Sequence, residues 1–208
     1  MKNRTFEIPN LSDLYKLTEK DYTKASKVLG EAFKVDPIWK RILHNQFNKF
    51  RTVFGISLKY TLKFGKAYAL TANMDGIACW LTSPYTNVTL WRLLYSGAIK
   101  PVMQLKWKII SNIFKVYNRV DKHRKNFKQI PFLYLFALGV HPEKQGEGIG
   151  SKLLKLMLDQ LDSDIPVYLE TETEKNVRFY ERFGFKISKK IHVPLVNLPV
   201  YVMVYHNK

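Results

Sequence analysis

A glycine-rich loop between an apolar run and a helical pattern limits what this chain can fold into more than any other feature. The loop reads Leu138-Gly139-Val140-His141-Pro142-Glu143-Lys144-Gln145-Gly146-Glu147-Gly148-Ile149-Gly150-Ser151. The run before it, Phe132–Val140, is the longest apolar stretch of the chain and reads as a central strand buried on both faces. After it, Leu153, Leu154, Met157, Leu158 and Leu161 recur at helical spacing, which predicts a helix over 151–161. A strand that feeds Gly-x-Gly-x-Gly into a helix N-terminus is a place to hold a pyrophosphate. Its first N–H groups lack intrahelical partners, and the helix dipole adds partial positive charge. Glycines let the backbone approach the phosphates closely and supply positive φ.

Three phosphate ligands compete for such a loop. A P-loop requires Lys and then Ser or Thr after its last glycine, but Gly150 is followed by Ser151. A dinucleotide fingerprint requires Gly-x-Gly-x-x-Gly with an acidic residue about 20 residues on. Glu170 stands at that distance and ends a strand, yet the glycine spacing is wrong and the loop lies too late in the chain. The third ligand is coenzyme A. Gln145-Gly146-Glu147-Gly148-Ile149-Gly150 resembles the Gln/Arg-x-x-Gly-x-Gly/Ala loop of the GNAT superfamily of acyl-CoA N-acyltransferases. Asn176-Val177-Arg178-Phe179-Tyr180-Glu181-Arg182-Phe183-Gly184-Phe185 resembles that superfamily's Asn-x-x-x-Phe-Tyr-x-x-x-Gly-Phe helix and turn. The two occur in the right order and at a fitting separation.

Further likenesses narrow the comparison. Leu169-Glu170-Thr171, Ala78-Cys79-Trp80-Leu81-Thr82-Ser83-Pro84, Ala32-Phe33 and Asp36-Pro37 are similar to a subgroup containing puromycin N-acetyltransferase. The resemblance is densest from Phe132 to Met203 and thinnest from Tyr85 to Gln129. It implies an α/β fold, a twisted mixed sheet splayed between central strands with helices on both faces, and acetyl-CoA as co-substrate. A single domain over 1–208 is expected, with a coenzyme-binding core at 132–185 and a variable helical segment at 85–129 that shapes the acceptor pocket.

Composition agrees with one folded core. At 208 residues the chain is long enough for one sizeable core and short for two, and 46% apolar and 14% aromatic content belongs to a globular protein. The start, Met1 to Glu7, lacks the apolar core of a signal peptide, and no window offers the ~18 apolar residues of a membrane span. A cytoplasmic location is therefore expected. The one cysteine, Cys79, reads as a small buried hydrophobe. A net charge of +17 would help capture a polyphosphate. Contact with nucleic acid or an anionic membrane is the less favoured use of that charge, and homodimer formation is left open.

Elsewhere the periodicities place a short strand at Leu14–Leu17, with Thr18 capping a helix that runs to Phe33 and breaks at Asp36-Pro37. Ile38–Phe64 reads as one helix with an interruption at Gly55. Lys66–Thr71 and Gly76–Leu81 read as a hairpin. Thr86–Gln129 has an apolar helical stripe opposite Lys106, Lys108, Lys115, Arg119, Lys122, Arg124, Lys125 and Lys128, a face read as solvated. Trp91, Tyr95 and Trp107 are candidates to line an acceptor pocket. Val167–Glu170 is a strand, Lys175–Phe183 a helix stopped by Gly184, and Phe185–Ile191 with Val200–His206 a closing antiparallel pair.

Amide formation from a thioester requires a neutral amine, a polarised carbonyl and a proton for the departing sulfur. The resemblance implies that Leu138, Gly139 and Val140 receive the pantetheine arm, one N–H facing the thioester oxygen. It implies that Gln145, Gly146, Glu147, Gly148, Ile149, Gly150 and Ser151 hold the pyrophosphate. Asn176 would bond the pantetheine amides, and Phe179 would pack on the core or the coenzyme. Tyr180, a phenol protonated at neutral pH, is the candidate acid; the alternative is a ring that only packs on the coenzyme. Glu170 is the candidate base, the alternative being a salt-bridged carboxylate, while Glu172 and Glu174 follow on a loop. No cluster has metal-ligand spacing, and no nucleophile is placed for an acyl-enzyme. The expected activity is acetyl transfer to a primary amine of a small molecule by direct attack. Protein or peptide acetylation, or silent sensing of coenzyme A, are the alternatives.

Overall fold

The computed structural model describes residues 6–124, 130–161 and 164–206. Met1 to Thr5 of the expected leaderless start, and Lys125 and Lys128 of the expected basic face, lie outside the described residues. Seven strands form one sheet in the order β1-β2-β3-β4-β5-β7-β6. They are β1 (Tyr15–Lys16), β2 (Gly65–Ala69), β3 (Gly76–Thr82), β4 (Leu133–Val140), β5 (Val167–Thr171), β6 (Lys186–Val193) and β7 (Leu198–Tyr205). Only β4 and β5 pair in parallel; every other neighbouring pair is antiparallel. The parallel pair needs a crossover, and the helix α7 (Ile149–Leu158) supplies it.

The period of two along β3 shows how the sheet divides the interior. Ile77 and Cys79 belong to one apolar cluster, Ala78 and Trp80 to another. The first cluster lies under α1 (Tyr22–Ala32), α2 (Pro37–Ile42), α3 (Phe47–Phe64) and α6 (Trp107–Arg124). The second lies under α7 and α8 (Glu174–Glu181). Two short helices, α4 (Leu90–Tyr95) and α5 (Ile99–Met103), precede α6.

Local chemistry explains most boundaries, and several differ from expectation. Asp36 caps α2 by accepting from the Trp39 N–H at 2.9 Å, with Pro37 in the first turn. The expected helix over 38–64 is interrupted at 43–46 rather than at Gly55. His44 and Asn45 adopt positive φ there, of 48° and 56°, and end α2. Gly55 stays inside α3 because α1 crosses it: an added Cβ would meet the Tyr22 hydroxyl at 2.6 Å. The phosphate-loop helix begins two residues earlier than expected, at Ile149, and ends at Leu158. The described part of the 86–129 stretch divides into three helices, α4, α5 and α6.

Candidate active site

The site begins where the sheet comes apart. β4 runs for eight residues, yet only Leu133 and Tyr134 pair with β5, opposite Val167 and Tyr168. On its other edge β4 pairs with β3 along its whole length, except that Phe136 is an extra residue between the Cys79–Ala137 and Trp80–Leu135 pairs. An extra residue of this kind bends its strand and raises local twist. Past Tyr134, β4 therefore turns away from β5 and presents a ladder edge that β5 does not fill. Unpaired backbone groups there need a partner. The expectation that β4 is buried on both faces fails for the same reason: Phe136, Leu138 and Val140 are only half-buried beside the opening.

The loop continues from this edge. The His141 N–H donates to the Asp75 carbonyl at 2.7 Å, which ties the strand end to the β2–β3 turn, and Gln145 Nε2 donates to the Val140 carbonyl at 3.2 Å. Gly146 and Gly148 take φ of 92° and 79°, and no atom lies within 4 Å of where a Cβ on either would sit. The first intrahelical bond runs from Lys152 N–H to the Gly148 carbonyl, so the preceding N–H groups of α7 point into that space. A Cβ on Gly150 would make only ordinary contacts with Val140, Leu138 and Phe179, so protein packing does not require glycine there. Open space, outward N–H groups and a glycine that packing does not demand fit a bound pyrophosphate. Gly139 differs: its missing Cβ is replaced by Ala32, Leu29 and Phe33 at 3.0 to 3.2 Å. The close approach at Gly139 is that of α1.

Opposite the opening, Thr173 caps α8 by accepting from the Asn176 N–H at 3.2 Å. Asn176 is exposed, Phe179 half-buried and Tyr180 buried. After α8 the Phe185 N–H returns to the Tyr180 carbonyl at 3.3 Å, and the Phe185 ring meets the Tyr180 ring edge-on at 5.6 Å. The Gly-Phe turn thus clamps Tyr180 from behind. Burial, and then the nearby Glu172 charge, push the Tyr180 phenol above its usual value, so it stays protonated through the neutral range. Phe179 packs on Tyr180 and Phe183 and carries the Arg182 guanidinium over its face at 5.5 Å.

A cavity of about 270 Å³ joins these parts. Residues 134–138 of β4, Glu170, Glu172, Asn176 and Tyr180 line one side, and side chains of α2, α3 and α6 line the other. Trp91, Tyr95 and Trp107, expected as pocket residues, are instead 77 to 81% exposed on the outside. The short helix α4 turns Leu93 inward, so Trp91 and Tyr95, two residues to either side of it, point away.

Two carboxylate centres face the cavity, and they differ. Glu170 is the penultimate residue of β5, which runs one residue further than expected, and its carboxylate is taken. It accepts from Arg124 Nη2 at 3.0 Å, from Arg124 Nε at 3.1 Å and from the Tyr134 hydroxyl. Arg124 is 1% exposed, a correction to the solvated face expected for α6. It also donates to the Thr86 carbonyl at 2.9 Å and lies over the Tyr134 ring at 4.7 Å and the Tyr117 ring at 5.0 Å. Burial alone would pull its pKa down; Glu170, Tyr134 and Tyr117 overturn that and hold the guanidinium charged. The second centre is Glu172, which lines the cavity and whose carboxyl lies near enough to that of Asp36 for the two to act on each other's pKa. Burial first, then Asp36, then Glu170, push Glu172 well above the usual carboxylate range. Sequence reading missed Arg124 and the Asp36–Glu172 pair. The Asp-Pro dipeptide announced a cap, and nothing in the spacing joins position 36 to position 172.

Among the described residues no group of His, Cys, Asp and Glu gathers as a metal site, and no helix is long and apolar enough to cross a membrane. Residues 114–187, which span the split, the loop and α8, match the acetyltransferase (GNAT) domain model. An uncharacterized N-acetyltransferase of Schizosaccharomyces pombe is 26% identical over 200 residues, covering 89% of this chain and 79% of that protein. Among solved structures, arylalkylamine N-acetyltransferase 2 of Aedes aegypti superposes with a TM-score of 0.68 at 15% identity, over 94% of this chain and 98% of that one. A Corynebacterium glutamicum structure described as histone acetyltransferase HPA2 and related acetyltransferase does so at 0.62 and 19%, over 94% and 96%. At these identities the structural matches speak for the fold alone. Loop, split sheet and aromatic helix all lie within the stretch that matches the acetyltransferase (GNAT) domain, and with the N-acetyltransferase relative they support an acetyl-CoA-dependent acyltransferase.

Proposed function

We propose that the protein acetylates the primary amine of a small molecule by direct attack on the thioester. The cavity carries this reading. Side chains of α3 and α6 line it, and at about 270 Å³ it suits a small molecule better than a polypeptide laid across the sheet. Its lining is largely apolar, with Trp39, Phe54, Phe114 and Phe136 among the walls. A structural match to an arylalkylamine acetyltransferase is in keeping with that lining. The likeness to puromycin N-acetyltransferase rests on the sequence motifs alone.

Acetyl-CoA supplies the activated acyl group. On this reading residues 145–151 hold its pyrophosphate, Leu138, Gly139 and Val140 receive the pantetheine on the open strand edge, and Asn176 bonds its amides. Tyr180 gives a proton to the sulfur. Residues 132–185 form the coenzyme core and the 85–129 segment shapes the acceptor chamber. Glu170, engaged by Arg124 and Tyr134, braces the chamber and leaves the base to another group.

Thiol release from acetyl-CoA, measured against a panel of amines, peptides and basic proteins with parent and Tyr180→Phe, tests this. Release that depends on a small amine and falls in the variant is expected. Release only with peptides or proteins would move the acceptor to a macromolecule. Acetyl-CoA binding without release for any acceptor would leave a coenzyme sensor.

A further inference from the structure

We propose that Glu172, on the cavity wall beside Asn176 and Tyr180, is the group that takes the acceptor amine's proton. Three observations carry this, and all rest on the acetyl-transfer reading above. Glu172 lines the cavity that Asn176 and Tyr180 also line, so it faces the place where an amine must meet the thioester. Glu170, the other carboxyl lining the cavity, already accepts from Arg124 and Tyr134. The Asp36 carboxyl is anchored behind Glu172 by the Trp39 N–H at 2.9 Å, so the pair is held from the backbone of α2.

Burial and the neighbouring carboxyl both disfavour a second negative charge on the pair, so on this proposal it carries one proton and one negative charge when the amine arrives. The charged groups around it are few. Lys40 of α2 acts on Asp36; Glu170 of β5 acts on Glu172; Tyr180 of α8 lies within reach of the Glu172 charge. Arg124 of α6 is bound to Glu170. The net negative pair therefore attracts an ammonium ion, the form in which most alkylamines arrive.

The proton balance is complete. The ammonium gives one proton to Glu172 as the proton of Glu172 shifts to Asp36, which leaves a neutral pair and a neutral amine. The nitrogen lone pair forms the C–N bond while the C–S bond breaks. Tyr180 protonates the sulfur and recovers a proton from the new amide nitrogen, and the pair returns its extra proton to water. Glu172 is then a catalytic residue, and Asp36 a positioning residue that acts through it.

The test uses the full chain with Glu172→Gln and Asp36→Asn. Both changes keep shape, and Asn at position 36 can still cap α2. Glu172→Gln should lower kcat by roughly 10²-fold or more, with acetyl-CoA affinity unchanged as the check on folding. Asp36→Asn should cost less and remove one of the pair's two ionisations from the pH profile of kcat/KM. In infrared difference spectra at neutral pH, the parent should show a protonated-carboxyl stretch that Glu172→Gln loses. A Glu172→Gln enzyme with the parent's kcat and pH profile would overturn the assignment, as would a parent without that stretch. If no small amine is turned over, the small-molecule reading fails, and the infrared result still decides the pair.

Discussion

The coenzyme half and the acceptor half of this molecule are built by different means. The coenzyme half uses backbone. Its loop is exposed, its two positive-φ glycines lie within three residues, and its open N–H groups come from one helix start. The acceptor half uses side chains brought from far apart. Arg124 of α6, Glu170 of β5, Tyr134 of β4 and the Thr86 carbonyl meet in one buried network that spans 84 residues of sequence. A backbone site can be rebuilt on any sequence that makes the turn. A side-chain site depends on every packed element around it, which explains why the two halves should respond differently to mutation.

That contrast can be broken at named positions. Tyr180→Phe removes the proton donor and keeps the ring; kcat should fall by roughly 10²- to 10⁴-fold while acetyl-CoA affinity holds. An equal fall in affinity would mean that Tyr180 belongs to coenzyme binding. Next in size, Arg124→Met leaves the Glu170 carboxylate buried without its cation and should cost about 3–5 kcal/mol in chemical denaturation. Adding Glu170→Gln should recover most of that loss, since the uncompensated charge is then gone. If the single variant is as stable as the parent, the acceptor half is not held by this network. Gly148→Ala forces a Cβ into the left-handed region and should weaken acetyl-CoA by about tenfold, about 1–2 kcal/mol, read by calorimetric titration. A change in acceptor KM instead would contradict the separation of the halves. Smallest of all, Trp107→Ser alters a side chain 78% exposed and should move stability by no more than about 0.5 kcal/mol and leave kcat intact.

The coenzyme half was legible because its signals are local. Gln145 to Ser151 and Asn176 to Phe185 each lie within one turn or helix, where spacing alone says which groups face the same way. The β2–β3 hairpin and the closing β6–β7 pair were legible as well, since each joins strands that are neighbours in sequence. Errors fell where neighbours in space are remote in sequence. Arg124 shares its helical spacing with solvated lysines, and its burial is decided by Glu170, Tyr134 and Tyr168 from other elements together with Tyr117 of its own helix. Trp91 and Trp107 were pocket candidates as aromatics, yet α4 and α6 turn Leu93 and Ile109 inward instead. By itself the sequence determined the phosphate loop, the aromatic helix and their order, because hydrogen-bonding and φ preferences act over a few residues. Only the tertiary structure decided which carboxylate is neutralised and which is left paired with Asp36, because burial and charge act across the packed interior and periodicity cannot report them.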